Sequence, residues 1–272
     1  MPINTHHIKT IDKEKFLQDF SRDGCVLVEG IFSKEFSESV IPGLRSAILK
    51  ESGQFHSPDH KDFGMLLACP VYGGKFLEVL EHKEFFTPFN WLLGDTCIIW
   101  VYTSSCIAPG KGNYASRIHV DRPFFIKDFN EGVGSLILLD DFTEENGATW
   151  MLPGSHTMPG EPANEYFFSN AERVIAPKGT VIYFNLRVWH AGGVNRTSAW
   201  RDALGIGMIR PYMKQRIDLP RAMAHMDTSP LPDFVKQKLG FFAQPPVSIE
   251  EYYSRSAILE AKQPSEWNKA DK

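Results

Sequence analysis

GTVIYFNLRVWHA, residues 179–191, is the stretch that decides the fold class of this 272-residue chain. It begins at a glycine and continues with β-branched and aromatic residues, which are enriched in β-strands. It ends with His190 and Ala191, and the next two residues are glycines. The stretch therefore predicts a buried strand whose end presents a histidine at a place where another group can approach the backbone closely.

Similar runs recur on both sides of this stretch, separated at short intervals by Pro, Gly and Asn. They begin at Thr96 and continue to about residue 212. The runs read TCIIWVYTSSCIA, RIHVDRPFFI, GSLILLDDF, ATWML, RVIAP and DALGIGMIRPYM. Many short strands with turn residues between them are typical of an antiparallel sandwich or barrel. We expect about eight strands arranged as a jelly roll.

The chain ahead of these runs begins with a different pattern. In DKEKFLQDFSRDG (12–24) the apolar residues fall on one helical face, with Asp12 as a plausible N-cap and Gly24 just beyond the last turn. CVLVEGIF (25–32) then predicts a buried strand. The N-terminal part is therefore expected to open with a short amphipathic helix followed by a strand.

Two further helices are expected before the β-rich region. Ser33 is positioned to cap the first of them, which would be kinked or restarted at Pro42. KEFFTPFNWLLG (83–94) predicts the second, broken near Pro88.

Together these segments predict a mainly β protein whose double-stranded β-helix, or jelly-roll, core carries flanking N-terminal and peripheral α-helices. A single domain is expected over residues 1–272, which is an ordinary size for such a fold. Within it, residues 1–95 form a helical and strand N-terminal elaboration and residues 96–214 form the core with the metal site. Residues 215–272 are expected to be loops and short helices packed on the core.

Composition excludes several classes of protein. Hydrophobic residues make up 43% and charged residues 23%, with a formal net charge of −4, which is typical of a globular domain. Nucleic acid is not expected as a partner because the chain has no Lys/Arg tract. A membrane span is not expected because no run approaches about 18 apolar residues.

The location is expected to be cytoplasmic. The N-terminus MPINTHHIK lacks the apolar segment of a signal peptide. The four cysteines show no spacing typical of a zinc site or a disulfide framework, so they are interpreted as reduced and structural. They are Cys25, Cys69, Cys97 and Cys106.

A His-x-Asp triplet is the first candidate for a metal site, because residues i and i+2 of a strand point to the same face and can reach one ion together. The triplet occurs at His60 to Asp62, His119 to Asp121 and His225 to Asp227. The first lies in a polar loop and the third follows the end of the expected sheet, so both are interpreted as surface residues. The β-rich surroundings favour His119 and Asp121.

His190 is the candidate for a third ligand, since two ligands alone make a weak site. Two histidines and one carboxylate with open positions form the facial triad of non-haem Fe(II) oxygenases. The competing interpretation is that His119 and His190 are ordinary sheet histidines held by hydrogen bonds. The convergence of several features in the same region favours the metal site.

Arg201 is one of these features, and it follows His190 by eleven residues. A guanidinium group binds a carboxylate in a bidentate manner and stays charged when partly buried. Strand alternation places Arg201 on one face with Ala203, Gly205 and Gly207, which would leave room for a ligand. An exposed arginine at a strand end is the alternative for this residue alone.

Four blocks of the sequence occur in a characteristic order. They read FLQDFSRDGCVLVEGIFSKEF, HVD, LDDFTEENGATWMLPGSH and HAGGVNRTSAWR. In type and order these blocks resemble the phytanoyl-CoA dioxygenase family of Fe(II)- and 2-oxoglutarate-dependent oxygenases. The resemblance covers about residues 14–212, and it is more specific than His-x-Asp alone.

The resemblance implies a role for each matching residue. His119, Asp121 and His190 would be the Fe(II) ligands, and Arg201 would anchor the distal carboxylate of the co-substrate 2-oxoglutarate, with O₂ as the oxidant. His156 would lie near a pocket rim without being a ligand. The segments Asn146-Gly147 and Pro153-Gly154-Ser155 would be turns.

The resemblance also implies the reaction, in which 2-oxoglutarate gives succinate and CO₂ while a small-molecule substrate is oxidised. Related halogenases replace the acidic ligand with a small residue, whereas Asp121 fills that position here. Hydroxylation, or another oxidation such as desaturation or cyclisation, is therefore favoured over halogenation.

The sequence points only weakly to the substrate. Arg117 would share a strand face with His119 and Asp121, so we hypothesise that it pairs with an anionic group of the substrate. A structural salt bridge is the alternative for Arg117, and Arg122 is a weaker candidate for the same role. Trp150 is a candidate among the aromatic residues of an apolar pocket. Both an anionic molecule and a natural-product intermediate remain open as substrates.

Two other kinds of protein compete with the oxygenase. One is a non-catalytic, cupin-like metal-binding jelly roll, which Arg201 and the open positions of the triad disfavour because structural metal sites are normally closed by protein ligands. The other is a sugar-binding sandwich without a cofactor. That protein would co-purify without metal and would keep its function in a His119→Ala variant.

Overall fold

The computed structural model describes residues 3–52, 54, 63–124, 126 and 129–254. The strands are β1 Thr5–His7, β2 Cys25–Glu29, β3 Ile98–Ser104, β4 Gly132–Leu138, β5 Trp150–Met151, β6 Glu172–Arg173, β7 Val181–Asn185, β8 His190–Ala191 and β9 Ala203–Ile209. The α-helices are α1 Lys13–Asp23, α2 Lys34–Glu51, α3 Lys75–Glu81, α4 Lys83–Leu93, α5 Asn164–Asn170, α6 Leu219–Ala222 and α7 Asp233–Leu239.

The strands form two sheets. The larger sheet has the order β1-β2-β7-β4-β9-β3, and the smaller has the order β6-β5-β8. Pairing is antiparallel in both sheets except between β1 and β2, which are parallel. This arrangement confirms the mainly β jelly-roll core with flanking helices that the sequence predicts. The strand β1 and its parallel pairing are additions that the sequence pattern did not reveal.

The two faces of the larger sheet pack against different partners. Val26, Tyr183 and Leu204 join the cluster that contains the buried residues of α1, α2 and α4. Their strand neighbours Leu27 and Phe184 belong to a second cluster on the opposite face. The alternation along each strand therefore separates a helix-covered face from a face that turns towards the smaller sheet.

The N-terminal elements follow the expected signals closely. The Asp12 side chain accepts a hydrogen bond from the Lys15 amide, and Gly24 adopts a φ of 71° beyond the last turn of α1. The Ser33 side chain caps α2 by accepting from the Phe36 amide. These caps satisfy backbone donors that the helices leave unpaired at their first turns.

The expected restart at Pro42 and the expected break near Pro88 are wrong. Helix α2 runs without a break through Pro42, and α4 runs without a break through Pro88. Proline in a helix interior removes one hydrogen bond, and packing can offset that loss. Both helices bury apolar faces against the larger sheet, with Val40 and Leu44 in α2 and Phe85 in α4.

The expected strand over RIHVDRPFFI is also wrong. A 3₁₀ helix at Tyr114–Ser116 precedes it, and only an isolated bridge between His119 and His190 continues the sheet pairing. A capping box holds the 3₁₀ helix. The Asn113 side chain accepts a hydrogen bond from a backbone amide of the helix, and the Ser116 side chain accepts one from the Asn113 amide. The described part of this segment is otherwise irregular.

The RVIAP run is mostly outside the strands, since β6 covers only Glu172–Arg173. The four cysteines are free and buried. In the described part of the chain, no helix combines the length and apolar character needed to cross a membrane.

Candidate metal centre

Three side chains from separate parts of the β-rich region meet at one point. One ligand atom from each of His119, Asp121 and His190 lies within 4.8 Å of the other two. An Asp121 carboxylate oxygen lies 3.8 Å from Nε2 of His119 and 3.9 Å from Nε2 of His190. These separations exceed a hydrogen bond and are less than twice a metal–ligand bond of about 2.1 Å. The geometry fits a single ion between the three groups.

The backbone positions these ligands although no continuous strand carries them. His119 and His190 donate to each other's carbonyl groups, with both N···O distances 2.9 Å. The Asp121 amide donates to the carbonyl of Leu186 at 3.0 Å. The segment that holds the His-x-Asp triplet is therefore fixed against both ends of the turn between β7 and β8.

The orientation of each imidazole ring identifies the nitrogen that is available. Nδ1 of His119 lies 2.8 Å from the carbonyl oxygen of Arg117, and Nδ1 of His190 lies 2.9 Å from that of Val188. A carbonyl oxygen only accepts, so each Nδ1 carries the proton and each Nε2 keeps its lone pair. Metal-binding histidines are commonly oriented in this way by a bond from the second ring nitrogen.

The electrostatics of the centre favour a bound cation. Burial lowers the pKa of His119 to about 3, and the adjacent His190 ring contributes to the decrease. Burial also raises the pKa of the Asp121 carboxyl, whereas His190 and Arg216 act in the opposite direction. A neutral histidine is the form that binds a metal, and a divalent cation would favour the ionised carboxylate.

The glycines after His190 permit a close approach, as the sequence predicts. A Cβ atom at Gly193 would lie 2.8 Å from the Cα of Gly147, and one at Gly192 would lie 3.4 Å from the Ala115 carbonyl oxygen. The groups that approach are therefore parts of the protein backbone. Larger residues would displace the loops on either side of His190.

The His-x-Asp triplet at His225 to Asp227 does not join this centre. His225 contacts the carbonyl groups of Ala222 and Val71, and Asp227 accepts a hydrogen bond from the Ser229 amide. These local bonds match the expected surface role. The triplet from His60 to Asp62 lies outside the described residues.

Arg201 is buried, with 1% of its surface exposed. Its Nε and Nη1 atoms have no hydrogen-bond partner among the described residues, and its guanidinium lies 4.4 Å from the centre of the Phe142 ring. Burial lowers the pKa of Arg201 to about 10, so the group is still charged at neutral pH. A buried cation with unbonded nitrogens is costly unless a partner arrives.

The surroundings of Arg201 connect it to the metal centre. Phe142 belongs to the cluster between the sheets that also contains Met151 and Ala203. Met151 is the strand partner of His190, so the guanidinium and the metal ligand face the same interior. The Asp202 side chain points to the opposite face, as expected, and forms an ion pair with Arg45 of α2.

Arg117 and Arg122 lie on either side of the His-x-Asp triplet, and both have protein partners. The exposed Arg117 side chain stacks on the Tyr114 ring at 4.3 Å and donates to its hydroxyl. Nε of Arg122 lies 3.2 Å from a carboxylate oxygen of Glu131. The charge of Arg122 is thus balanced beside Asp121.

Trp150 lies on the other side of its short strand from Met151. Its ring packs against Phe168 at 6.0 Å and under the Arg173 guanidinium at 4.3 Å. Met151, and not Trp150, enters the cluster between the sheets. The structure therefore does not bring Trp150 together with the metal ligands.

Two neighbours of the centre carried no recognisable signal in the sequence. The Phe184 ring lies 5.2 Å from the ring of His190, in a run interpreted only as strand. Arg216 acts electrostatically on Asp121 and lies 6.0 Å from the Trp100 ring, beyond the end of β9. Their positions depend on packing between distant segments, which spacing alone does not specify.

Comparison with protein families matches residues 20–203 to the family described as phytanoyl-CoA dioxygenase. The match covers more than half of the chain and includes all four residues of the candidate site. The chain belongs to the phytanoyl-CoA dioxygenase family. Its expected classification as a 2-oxoglutarate-dependent non-haem iron dioxygenase, with iron and 2-oxoglutarate as cofactors, is confirmed at the family level.

Similar proteins occur in bacteria and fungi. The chain is 27% identical over 216 residues to an uncharacterized protein of Mycobacterium tuberculosis, covering 77% of this chain and 79% of that one. It is 28% identical over 233 residues to the multifunctional dioxygenase prhA of Penicillium brasilianum, covering 75% of each.

Solved structures show the same fold. EctD from S. alaskensis with bound Fe superposes with a TM-score of 0.62 at 19% identity, covering 74% of this chain and 77% of that one. The non-heme alpha-ketoglutarate-dependent carbocyclase SnoK from nogalamycin biosynthesis superposes with a TM-score of 0.60 at 17% identity, covering 78% and 89%. At this identity the likeness supports the jelly-roll assignment of this phytanoyl-CoA dioxygenase family member.

Proposed function

We propose that this protein binds Fe(II) through His119, Asp121 and His190, holds the distal carboxylate of 2-oxoglutarate with Arg201, and oxidises a C–H bond of a small molecule. Succinate and CO₂ are the products from the co-substrate. The observation that carries the proposal is the pairing of three convergent ligand atoms with a buried, partly unbonded guanidinium in the same interior.

The donor set fits iron well. Two neutral imidazoles and one carboxylate supply nitrogen and oxygen ligands, and a centre with three protein ligands leaves positions for the co-substrate and O₂. When bound, the iron supplies the oxidative chemistry, which the side chains do not provide themselves. The protein residues would hold the ion and fix both rings through their Nδ1 bonds.

Arg201 fits the distal carboxylate of 2-oxoglutarate for a separate reason. Its Nε and Nη1 atoms are buried and have no hydrogen-bond partner among the described residues, and a carboxylate is the acceptor that a guanidinium binds most strongly. The Phe142 ring beneath the guanidinium holds its plane, and a bound carboxylate would neutralise the buried charge.

The acidic ligand favours oxidation over halogenation. Asp121 occupies the position that a halide would need, and its carboxylate balances part of the charge of the metal ion. Hydroxylation is the simplest reaction for this ligand set, with desaturation and cyclisation as variants of the same hydrogen abstraction.

Among the substrate residues predicted from the sequence, Arg122 lies beside Asp121 and stays a candidate contact. Arg117 is exposed and stacked on Tyr114, and Trp150 packs with Arg173 and Phe168, so their contacts do not favour a role. An Arg117→Ala variant is expected to keep the substrate KM of the unaltered protein. A several-fold increase in KM would restore Arg117 as a substrate contact.

The remaining expectations concern organisation and location. We propose one domain in which residues 1–95 elaborate the 96–214 core and residues 215–272 pack on it. Burial of α1, α2 and α4 against the larger sheet supports this arrangement. We also propose a cytoplasmic location, which the four free cysteines support.

The test is an anaerobic titration of metal-free protein with Fe(II) and 2-oxoglutarate, followed by the weak visible absorption of the chelated keto acid. The absorption is expected in the unaltered protein and absent in His190→Ala. His225→Ala is the matched control, because it alters another His-x-Asp triplet and is expected to leave the absorption unchanged.

Arg201→Ala separates the co-substrate site from the metal site. Hydrogen bonds to charged groups contribute about 1.5–3 kcal/mol, so the 2-oxoglutarate concentration at half saturation should rise roughly 10- to 150-fold. The exposed Arg221→Ala is the control. If folded, iron-loaded protein gave no absorption at any concentration of 2-oxoglutarate, the oxygenase would be excluded in favour of a metal-binding jelly roll.

A further inference from the structure

Strand β3 contains a bulge at Trp100. The residues on either side of it pair with Met208 and Gly207, which are adjacent in β9, so Trp100 is an extra residue without a partner on that strand. A bulge redirects a side chain, and bulges are common next to functional sites. Here the Trp100 ring packs on the face of the larger sheet that turns towards the smaller sheet. A Cβ atom at Gly207 would lie 3.1 Å from this ring.

The strand register places Trp100 in line with the metal centre. Gly207 pairs with Gly134, and Gly134 pairs with Phe184. The Phe184 ring lies 5.2 Å from the ring of the ligand His190. The Phe184 and Trp100 rings each lie against the glycine next to them in this row. Phe184, the two glycines and Trp100 therefore form an apolar floor that begins beside a metal ligand.

The Trp100 end of the apolar floor is also linked to the carboxylate ligand. The Leu186 side chain lies 3.9 Å from the position of a Cβ atom at Gly207. The Leu186 carbonyl accepts hydrogen bonds from the amides of Asp121 and Arg122, at 3.0 Å and 3.1 Å. The Arg122 guanidinium lies 5.4 Å from the centre of the Trp100 ring. Asp121 and Trp100 are thus connected by direct contacts on the same face of the sheet.

A second guanidinium lies beside the Trp100 ring. Arg216 is 6.0 Å from the ring centre, and its amide donates to the Trp100 carbonyl at 2.9 Å. Phe184 is buried, Trp100 is half-buried and Arg216 is exposed. The apolar floor therefore opens to solvent at the end where Arg216 lies.

The two guanidinium groups differ in their partners. Nε of Arg122 lies 3.2 Å from a carboxylate oxygen of Glu131, and both of these side chains are largely buried. In the part of the chain that the structure describes, no carboxylate forms an ion pair with Arg216. A carboxylate is the group that a guanidinium binds most strongly, because two parallel charge-assisted bonds can form. Arg216 is therefore the group at this end of the floor that an anionic ligand would satisfy.

We propose that Trp100 and Arg216 form part of the substrate site, and that the substrate is a carboxylic acid with an apolar body. The body lies on the apolar floor, and the carboxylate pairs with Arg216. The inference rests on the proposed function, because the iron centre makes the adjoining floor a substrate site. The oxidised C–H bond then belongs to the body, at the end away from the carboxylate.

The test compares acids with primary amides that share the same body. The pairs are phenylacetate and phenylacetamide, indole-3-acetate and indole-3-acetamide, and pyrene-1-butyrate and its amide. Equilibrium dialysis measures their binding to zinc-loaded protein, with saturating 2-oxoglutarate so that the acids do not bind at Arg201. At least one acid is expected to bind about tenfold more tightly than its amide, because charge-assisted hydrogen bonds are the stronger ones. If no acid bound more tightly than its amide, the proposed substrate class would be wrong.

The role of Arg216 is measured by the ratio of the two affinities. Arg216→Gln should reduce the preference for the acid to less than about threefold, and Arg216→Lys should keep part of it. Arg173→Gln is the matched control, because the Arg173 guanidinium also lies over a tryptophan ring, Trp150, at 4.3 Å. An unchanged ratio in Arg216→Gln would exclude Arg216 as the anion contact. Equal weakening of acid and amide would assign it a packing role instead.

The role of Trp100 is measured by both affinities together. Trp100→Leu should weaken the acid and its amide to a similar extent, because the ring contacts the body that they share. Trp100→Phe serves if Trp100→Leu fails to fold by circular dichroism. Trp150→Leu is the control and should bind both probes as the unaltered protein does. Unchanged binding in a folded Trp100 variant would overturn the location.

Proximity to the metal has its own readout. With Mn(II) in place of Zn(II), the proton NMR signals of the bound acid should broaden, because the paramagnetic ion relaxes nearby protons. The ring protons should broaden more than the methylene protons beside the carboxylate. Binding without broadening would show that the site does not serve the metal centre, and the reverse order would overturn the proposed orientation.

The failures of the two proposals are distinguishable. Arg216-dependent binding of acids with no charge-transfer absorption in the Fe(II) titration would refute the oxygenase while leaving an anion-binding site. A normal absorption with no preference for acids over amides would refute this substrate class while leaving the oxygenase.

Discussion

Tyr183 and Phe184 are neighbours on β7, and they show how differently the two faces of the larger sheet are used. The Tyr183 ring packs against Phe85 and Phe89 of α4, and its hydroxyl donates to the Phe85 carbonyl at 2.8 Å. Phe184 faces the other way and contacts His190 across the interior of the roll. One face is a closed aromatic core, and the other ends at the candidate iron centre.

The contrast extends along both central strands. On the face towards the roll, β4 and β9 present glycines at positions 132, 134, 205 and 207. The same interior contains Arg201, a buried cation whose Nε and Nη1 have no partner in the part of the chain that the structure describes. The helix-covered face thus stabilises the fold, whereas the opposite face leaves space and an unpaired charge for ligands. Functional sites commonly reduce the stability of a protein in this way.

The largest effect on stability is expected from the helix-covered face. Phe85→Ala should lower the free energy of unfolding by about 3–5 kcal/mol, because it deletes a fully buried ring. Urea denaturation measures this, with the partly exposed Phe242→Ala as a control expected within about 0.5 kcal/mol of the unaltered protein. A loss below about 1 kcal/mol for Phe85→Ala would contradict the division between the faces.

Filling the glycine face should affect both stability and the metal. A Cβ atom at Gly134 would lie 2.5 Å from the Phe184 ring, which must then move near His190. Gly134→Ala should cost about 1–3 kcal/mol in unfolding free energy and weaken Fe(II) binding. Gly43→Ala has no atom within 4 Å of the new Cβ and is the control, so equal effects of both substitutions would argue against the steric explanation.

Arg201→Met should have effects of opposite sign on stability and binding. Without 2-oxoglutarate it should raise the free energy of unfolding by on the order of 1 kcal/mol, because it removes a buried, incompletely bonded charge. Saturating 2-oxoglutarate should stabilise the unaltered protein and leave the variant unchanged. Thermal melts with and without co-substrate measure both effects, and destabilisation of the ligand-free variant would assign Arg201 a structural role.

The smallest effect concerns the pH dependence of the helix-covered face. Burial lowers the pKa of His82, whose ring packs against Phe32 and Phe36. The unfolded chain therefore binds the proton more readily, so this contribution to stability is present above about pH 6.5 and decreases as the pH falls below it. His82→Gln should reduce the loss of stability between pH 7 and pH 5. An identical pH dependence in denaturant titrations would assign that loss to other groups.

Sequence patterns predicted the features that depend on local chemistry. The Asp12 and Ser33 caps and the strand Cys25–Glu29 follow from side chains within a few residues of one another. The ligand set and Arg201 were predicted from residue type and order, and the structure brings His119, Asp121 and His190 within 4.8 Å of one another.

Features that depend on distant packing were not predictable in this way. Helix α4 continues through Pro88 because its aromatic face is buried against β7, which lies almost a hundred residues away. The His-x-Asp segment reaches the ligand geometry through backbone hydrogen bonds to the distant segment 186–190, and strand alternation does not produce it.

The reciprocal backbone bonds between His119 and His190 also determine how the metal can come and go. They join positions about seventy residues apart, so the polypeptide itself closes this long loop and the entropy of closure is lost during folding. An arriving ion meets donors that are already assembled. Removal of the ion by a chelator should therefore leave a folded apoprotein, and reconstitution should require only diffusion of iron into the site.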